Sequence, residues 1–307
     1  MNKLSETLGT LQIGPPQSHA NMMIYPLSLK NGHSRGYRTL DEALEAQTIQ
    51  VLEVSEGGNV PTLKVRNTGD LPVLMVVGEE LIGAKQNRVL NTSLLVPAQS
   101  ELNIPVSCVE QGRWSYRGRQ FSSSPSPSHM KLRKDQTESV TRTLRSSPGA
   151  FHADQSMVWG EVSRKMSFHE SSSPTHAMHD MYDQMAGKLT DYTAAFQAPQ
   201  TQGILVAING NVVGADMFDH AETLLRLWPK LLRSYAVDAI EHSTEAAQSE
   251  RSMDTQGFIQ AAAQATDETY DSVGIGKDVR LSGEQISGSG LLWDEKVIHA
   301  SLFNKQA

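Results

Sequence analysis

At 307 residues, 38% of them hydrophobic, the chain is about two average domains long and can bury a sizeable core. A formal net charge of −7 excludes a general attraction to nucleic acid or to an anionic membrane, since both require a positive surface. The single cysteine, Cys108, excludes an intramolecular disulfide and a thiolate zinc finger and suits a reducing cytoplasm.

In chain order, the opening MNKLSETLGTLQIGPPQ lacks the apolar core of a signal peptide, and no run approaches the ~20 apolar residues of a membrane span. The expectation is a soluble cytoplasmic protein. After this leader, Asn21 to Leu27 reads as a strand and Thr39 to Ala46 as a short helix, with Thr39 and Glu42 placed for a capping box. Strands are expected over Ile49 to Val54 and Pro61 to Val65, joined by a glycine turn at Glu56-Gly57-Gly58-Asn59. Three further apolar runs read as buried strands: Pro72 to Val77, Ser93 to Val96 and Leu102 to Cys108.

From Ser115 to Gly149 the composition shifts to Ser, Pro, Arg and Lys. So few large apolar groups predict a mobile linker, or a lid over an anionic ligand. Helices follow at Ala153 to Met166 and His176 to Phe196, the second carrying a stripe of Met178, Met181, Tyr182, Met185 and Leu189 on one face. Gly203 to Ile208, Asn209-Gly210 and Asn211 to Ala215 predict a hairpin with a type I′ turn. Ala221 to Glu241 is an amphipathic helix that Pro229 should kink or split, with Asp219 as its cap. A helix at Met253 to Ala265 and strands near Val279 to Leu281, Gly290 to Trp293 and Val297 to Phe303 complete the pattern. The fold class is α+β: an antiparallel β-sandwich or barrel-like N-terminal half with a helical and β-hairpin C-terminal half. The expected organisation is a β-rich domain at 1–114, a linker or lid at 115–150 and an α+β half at 151–307, either separate from the first or packed with it as one domain.

The chemistry concentrates in two places. Gly78 to Arg88 leaves a core strand and at once presents Glu79, Glu80, Lys85, Gln86, Asn87 and Arg88. Adjacent carboxylates in extended chain point to opposite faces, so only one can join a given pocket. Buried beside apolar strands, that carboxyl would rise in pKa and serve as general acid or base; paired with Lys85 or Arg88, it would stay ionised. Amides beside a guanidinium can grip a phosphate or a polar ring edge. Val109 to Trp114 repeats the pattern with Glu110, Gln111, Arg113 and Trp114. If the two strands are neighbours, both polar exits open at one end of the sheet, where Arg113 would meet an anion and Trp114 would stack on a base or cap the sheet. Cys108, on a buried strand, reads as inert packing.

His176, His179 and Asp183 share a helix face, but no HExxH pattern accompanies them and no metal site is assigned. There is no phosphate loop, no GxGxxG, no GxSxG elbow and no CxxC. Common nucleotide-hydrolysing, dehydrogenase, serine-hydrolase and thiol-redox scaffolds are therefore not supported.

At GEELIGAKQNRVLNTSLLVPA and IPVSCVEQGRW, and again at VLEVSEGGNVPTLKVRN, MVWGEV, GADMFD, PKLLRSYAVDA and VIHASLF, the sequence resembles the ARG and rhodanese-phosphatase-superfamily-associated protein domain, a poorly characterised bacterial and archaeal family. The resemblance implies gene neighbours that process ADP-ribose and related NAD-derived nucleotides. It maps onto Glu79, Glu80, Lys85, Gln86, Asn87, Arg88, Glu110, Gln111, Arg113 and Trp114, with Glu161 and Asp216 as outlying positions. The resulting expectation is an enzyme acting on an anionic, ADP-ribose-like or other phosphorylated nucleotide metabolite. Glu79 or Glu80 would be acid or base, Lys85 and Arg88 a phosphate clamp, Gln86 and Asn87 orienting amides and Trp114 a stacking wall. A non-catalytic sensor and a protein-interaction scaffold are the alternatives. No cofactor, nucleic acid or membrane partner is assigned, and the oligomeric state is left open.

Overall fold

The computed structural model describes residues 3–29, 35–243 and 254–307. The architecture is α+β with antiparallel sheets, apart from one parallel pairing of Arg38–Thr39 with Val73–Met75. The chain divides into two compact units, and not at 114 and 150 as the composition suggested. One comprises Met1–Arg35, Lys188–Asp271 and Gly276–Ala307; the other comprises Gly36–Gly187 and Ser272–Ile275.

The first of these units is built on a nine-stranded sheet. Its spatial order is Gln12–Ile13, Met22–Ser28, Gly203–Ile208, Asn211–Phe218, Lys296–Asn304, Ile286–Trp293, Lys277–Ser282 and Thr266–Asp271, with Gln17–His19 also paired to Met22–Ser28. Leu205, Ala215, Met217, Val279, Leu281, Ala300 and Leu302 form its apolar face, against which Leu4 and Leu8 of Lys3–Leu8 and Phe258 of Thr255–Gln264 pack. The expected start of that last helix, Met253, lies outside the described residues. Asn209 and Gly210 both take positive φ, as the expected hairpin turn requires. Ala221–Glu241 is one continuous helix despite Pro229. The N–H that proline lacks would have bonded the carbonyl of Leu225, an exposed position where water can take its place. The cap is His220 rather than Asp219: its side chain accepts the Glu222 N–H at 3.3 Å.

The other unit is a nearly closed barrel. Six strands run in the order Phe121–Ser123, Glu80–Gly83, Arg88–Leu90, Ser100–Cys108, Thr62–Asn67 and Ile49–Glu53, and a bridge from Leu52 to Gln120 ties the last strand back to the first. Val51, Leu63, Val65, Leu81, Leu90, Ile104, Val106 and Phe121 belong to its core. The helix Leu40–Glu45 carries the predicted capping box, with Thr39 and Glu42 bonding reciprocally.

The segment expected to be mobile contains a 17-residue helix, Met130–Ser146. Composition misleads there because the helix buries polar groups, some of which find partners in other segments. Gln136 donates to Asn91 at 3.4 Å, and Ser139 Oγ accepts the Asp154 N–H at 2.9 Å. Leu132, Val140 and Leu144 supply a narrow apolar stripe. The expected helix from His176 to Phe196 is two, Met178–Gln184 and Ala186–Ala195.

Candidate functional site

The strands Arg88–Leu90 and Ser100–Cys108 pair with Cys108 opposite Arg88, so the two polar exits do meet. Val109 donates its N–H to the Asn87 carbonyl at 3.2 Å, and the Asn87 N–H reaches Glu110 Oε2 at 3.0 Å. Across this junction Arg113 forms a two-point pair with Glu110, Nε to Oε1 at 2.8 Å and Nη2 to Oε2 at 2.6 Å. Its remaining N–H groups go to the carbonyls of Ala84, Ser115 and Gly83 and to Asn87 Oδ1. Glu110 also accepts from Thr175 Oγ1 at 2.9 Å. These contacts hold its carboxyl below the usual carboxylate range despite the opposing effect of burial. Arg113, Glu110 and Asn87 therefore knit the loop together, and Arg113 is not the open anion contact the sequence suggested.

Arg88 is different. Its register partner Leu81 belongs to the barrel core, so its side chain points to the inner side, at the end of the barrel where Val60 and Gln86 lie. The guanidinium is fully buried, and burial pulls its pKa below the ordinary value. Nε donates to the Val60 carbonyl at 3.2 Å, and Nη1 donates to Gln86 Oε1 at 2.9 Å. Nη2 is buried with no hydrogen-bond acceptor among the described residues. Over it lies the indole of Trp114, 5.6 Å from the guanidinium carbon to the ring centre. Lys85 Nζ sits 5.2 Å from the Trp114 ring and 5.0 Å from the Tyr116 ring and donates to the Gly57 carbonyl at 2.8 Å. Both rings are about half exposed, 46% and 48%, so their outer faces are available for stacking.

A carboxylate completes this mouth. Glu53 ends its strand with Oε1 accepting the Lys85 N–H at 3.2 Å, while Oε2 is buried with no donor among the described residues. Gly58, at φ +75°, closes the adjoining turn. A methyl there would lie 3.1 Å from Lys85 Cδ and Trp114 Cζ2 and 3.3 Å from Glu53 Oε2, so glycine is what lets these three groups converge.

Glu80 takes the opposite face of the sheet from Arg88, one residue along the same ladder. Its carboxyl is 1% exposed and neither oxygen has a well-formed hydrogen bond; His179 Nδ1 lies 3.4 Å from Oε2. Burial raises the Glu80 pKa, with His179 and Ser124 pulling the other way. The adjacent carboxylate in turn raises that of His179. His179 Nε2 lies 3.6 Å from the exposed Asp183, so the imidazole links the buried acid to the surface. Glu79 folds back instead, accepting the Val76 N–H at 2.7 Å.

Of the other expected residues, Gln111 is exposed. Glu161 binds His129 at 2.9 Å and Arg164 at 2.8 Å, and its carboxyl is held well below the usual range, against the opposing effect of burial. Asp216 belongs to the other unit, where Tyr235 and Ser301 donate to it at 2.8 and 2.6 Å. Cys108 is buried and its thiol is pushed up by desolvation, as inert packing requires. Among the described residues no group of three or more His, Cys, Asp or Glu is placed to hold a metal ion, and no helix is long and apolar enough to cross a membrane.

Sequence reasoning missed Glu53, Tyr116 and His179. Glu53 was legible as a carboxylate ending an apolar strand just before a Gly-Gly turn. Tyr116 lies in the segment whose composition predicts a linker, and the helix-face spacing of His179 points only to a metal.

The chain belongs to the ARG and rhodanese-phosphatase-superfamily-associated protein domain family, whose model matches residues 10–303. No curated protein and no solved structure matches the chain.

Proposed function

We propose that the barrel unit recognises an anionic, ring-bearing metabolite of nucleotide type at its open end, in the cytoplasm. The observation that carries this reading is the Lys85 ammonium held between two half-exposed aromatic rings, beside a buried arginine whose Nη2 is still to be satisfied. A base stacks on Trp114 or Tyr116, a phosphate meets Lys85 and Arg88, and Gln86 fixes the guanidinium plane. An ADP-ribose-like molecule, which the family resemblance implies, combines these elements. The net charge of −7 argues for a small ligand with its own local contacts over a nucleic-acid strand. Thermal-shift and calorimetric titration of the full chain with ADP-ribose and AMP tests the reading: saturable binding supports it, and its absence with both compounds rejects it.

Turnover is a second reading, favoured by the buried Glu80 carboxyl against His179. In that arrangement Glu80 fixes the imidazole through Nδ1 and leaves Nε2 toward solvent as general base. Glu80 faces away from the mouth, so recognition without turnover accounts for the Arg88 side of the sheet more simply. Mass spectrometry of ADP-ribose incubated with the protein, its Glu80→Gln variant and its His179→Gln variant decides: product lost in both variants supports catalysis, and unchanged ADP-ribose with the native chain excludes it for this substrate.

A further inference from the structure

Two groups with hydrogen-bonding capacity left over lie near Trp114: Arg88 Nη2, which can only donate, under the indole, and Glu53 Oε2, which as a carboxylate can only accept, beside the same ring across Gly58. Leaving a buried polar atom without a partner is unfavourable, and more so when it is charged, so two near one ring need a reason. They are not satisfied by each other: no ion pair joins them. The other halves of both groups are held fast, Arg88 by Val60 and Gln86, and Glu53 by the Lys85 N–H. Each free atom is therefore held in place and cannot turn away to find a partner elsewhere in the fold.

A ligand that satisfies both must present an acceptor and a donor close together. A phosphate alone supplies only acceptors, and placed beside Glu53 it would set like charges against each other. A sugar phosphate supplies both, through its phosphoryl oxygens and its hydroxyls. Carboxylates are well suited to ribose hydroxyls, because a hydroxyl donates to them in a fixed direction. We propose that Glu53 is the specificity-determining residue of the mouth, reading a ribose hydroxyl while Arg88 holds the phosphoryl group of the same ligand, so that the site selects ribosyl phosphates over their deoxy counterparts. This rests on the nucleotide-type recognition proposed above.

The covering ring adds a second consequence. The indole of Trp114 lies over the Arg88 guanidinium and stands in a run of exposed residues from Trp114 to Gln120. The ring moves aside to admit the sugar phosphate and closes against it, so binding changes the surroundings of this indole. With four tryptophans in the chain, a comparison with Trp114→Phe isolates its signal.

The test is calorimetric titration of the full chain with AMP and with 2′,3′-dideoxy-AMP, followed in parallel by tryptophan fluorescence. The native chain should prefer AMP by about tenfold or more, the scale of one buried hydrogen bond to a charged group. Glu53→Gln is the informative variant. The Lys85 N–H will hold the amide oxygen, which turns the NH2 toward the hydroxyl and replaces the acceptor with a donor. It should bring AMP down to the dideoxy level while leaving dideoxy-AMP affinity within about twofold, and an unchanged melting temperature will verify the fold. Equal affinity of the native chain for both compounds, or a preference that survives in Glu53→Gln, overturns the assignment of Glu53 alone. Failure of both compounds to bind rejects the recognition reading and this assignment with it. A fluorescence change on AMP binding should disappear in Trp114→Phe; if it persists, the ring does not move.

Discussion

Two buried arginines on neighbouring segments of one barrel have opposite circumstances. Arg113 has every N–H directed at a carboxylate, an amide or a backbone carbonyl, and its partner Glu110 is equally well served. Arg88 has the NH2 group of Nη2 left over beneath the Trp114 ring. In sequence the two looked alike, each an arginine following a core strand among amides. The lesson is that residue type and burial do not separate a structural arginine from a recognition arginine; the count of acceptors around the guanidinium does.

The largest effect expected from breaking this contrast is on stability. Arg113→Met strands Glu110 in the interior without its counter-charge and should cost about 3–5 kcal/mol in denaturant melts. Adding Glu110→Leu to the same chain should recover part of that loss. If Arg113→Met unfolds no more easily than the native chain, the contrast fails. Arg88→Met should show the reverse profile: a stability cost of about 1–2 kcal/mol, set against a loss of AMP affinity of about tenfold or more in titration. A smaller change still is expected from Trp114→Ala. Its ring is half exposed, so the free energy of unfolding should change by less than about 1 kcal/mol, while AMP affinity falls by about tenfold through lost stacking.

The last prediction concerns pH and the opposite face. His179 is raised by the Glu80 carboxylate, so its contribution is complete below the ordinary imidazole value and disappears as pH climbs through its higher folded value. Glu80, raised by burial, also binds its proton more tightly when folded, so it too lowers stability as pH rises past the ordinary carboxylate range. Glu110 and Glu161 act in the other direction: their depressed pKa values stabilise above the ordinary carboxylate range, and that stability is lost as the solution is acidified through their folded values. Melting temperature should therefore decline as pH rises past the ordinary carboxylate and imidazole values, and His179→Gln should flatten the decline. An unaltered slope in the variant would show that the imidazole is not coupled to Glu80.

Much of the frame was legible. The capping box at Thr39, the Asn209-Gly210 turn and the alternation of Thr62–Asn67 are local signals, and local energetics decided them. Glu80–Gly83 and Arg88–Leu90 were not read as strands because they carry the charges that made the segment look like a loop; their pairing in the barrel overrides that composition. Met130–Ser146 escaped because its partners, Asn91 and Asp154, are distant or polar, and hydrophobic periodicity cannot report them. For the site, the sequence supplied most of the participants but not their grouping. Whether Glu80 and Arg88 share a cavity depends on strand register, which places Leu81 and not Glu80 opposite Arg88.

The barrel unit is inserted between strands that belong to the other sheet, and this has a consequence for biosynthesis. Met22–Ser28 emerges from the ribosome early, yet its partner Gly203–Ile208 follows only after the main barrel segment has been made. The nascent barrel can collapse on contacts already delivered, while the earlier strand waits with an unpaired edge, a contact of long sequence separation and slow closure. Slowed translation near the end of that inserted segment should therefore favour the barrel and prolong the exposure of the waiting strand, which makes this edge the place where a chaperone would be needed first.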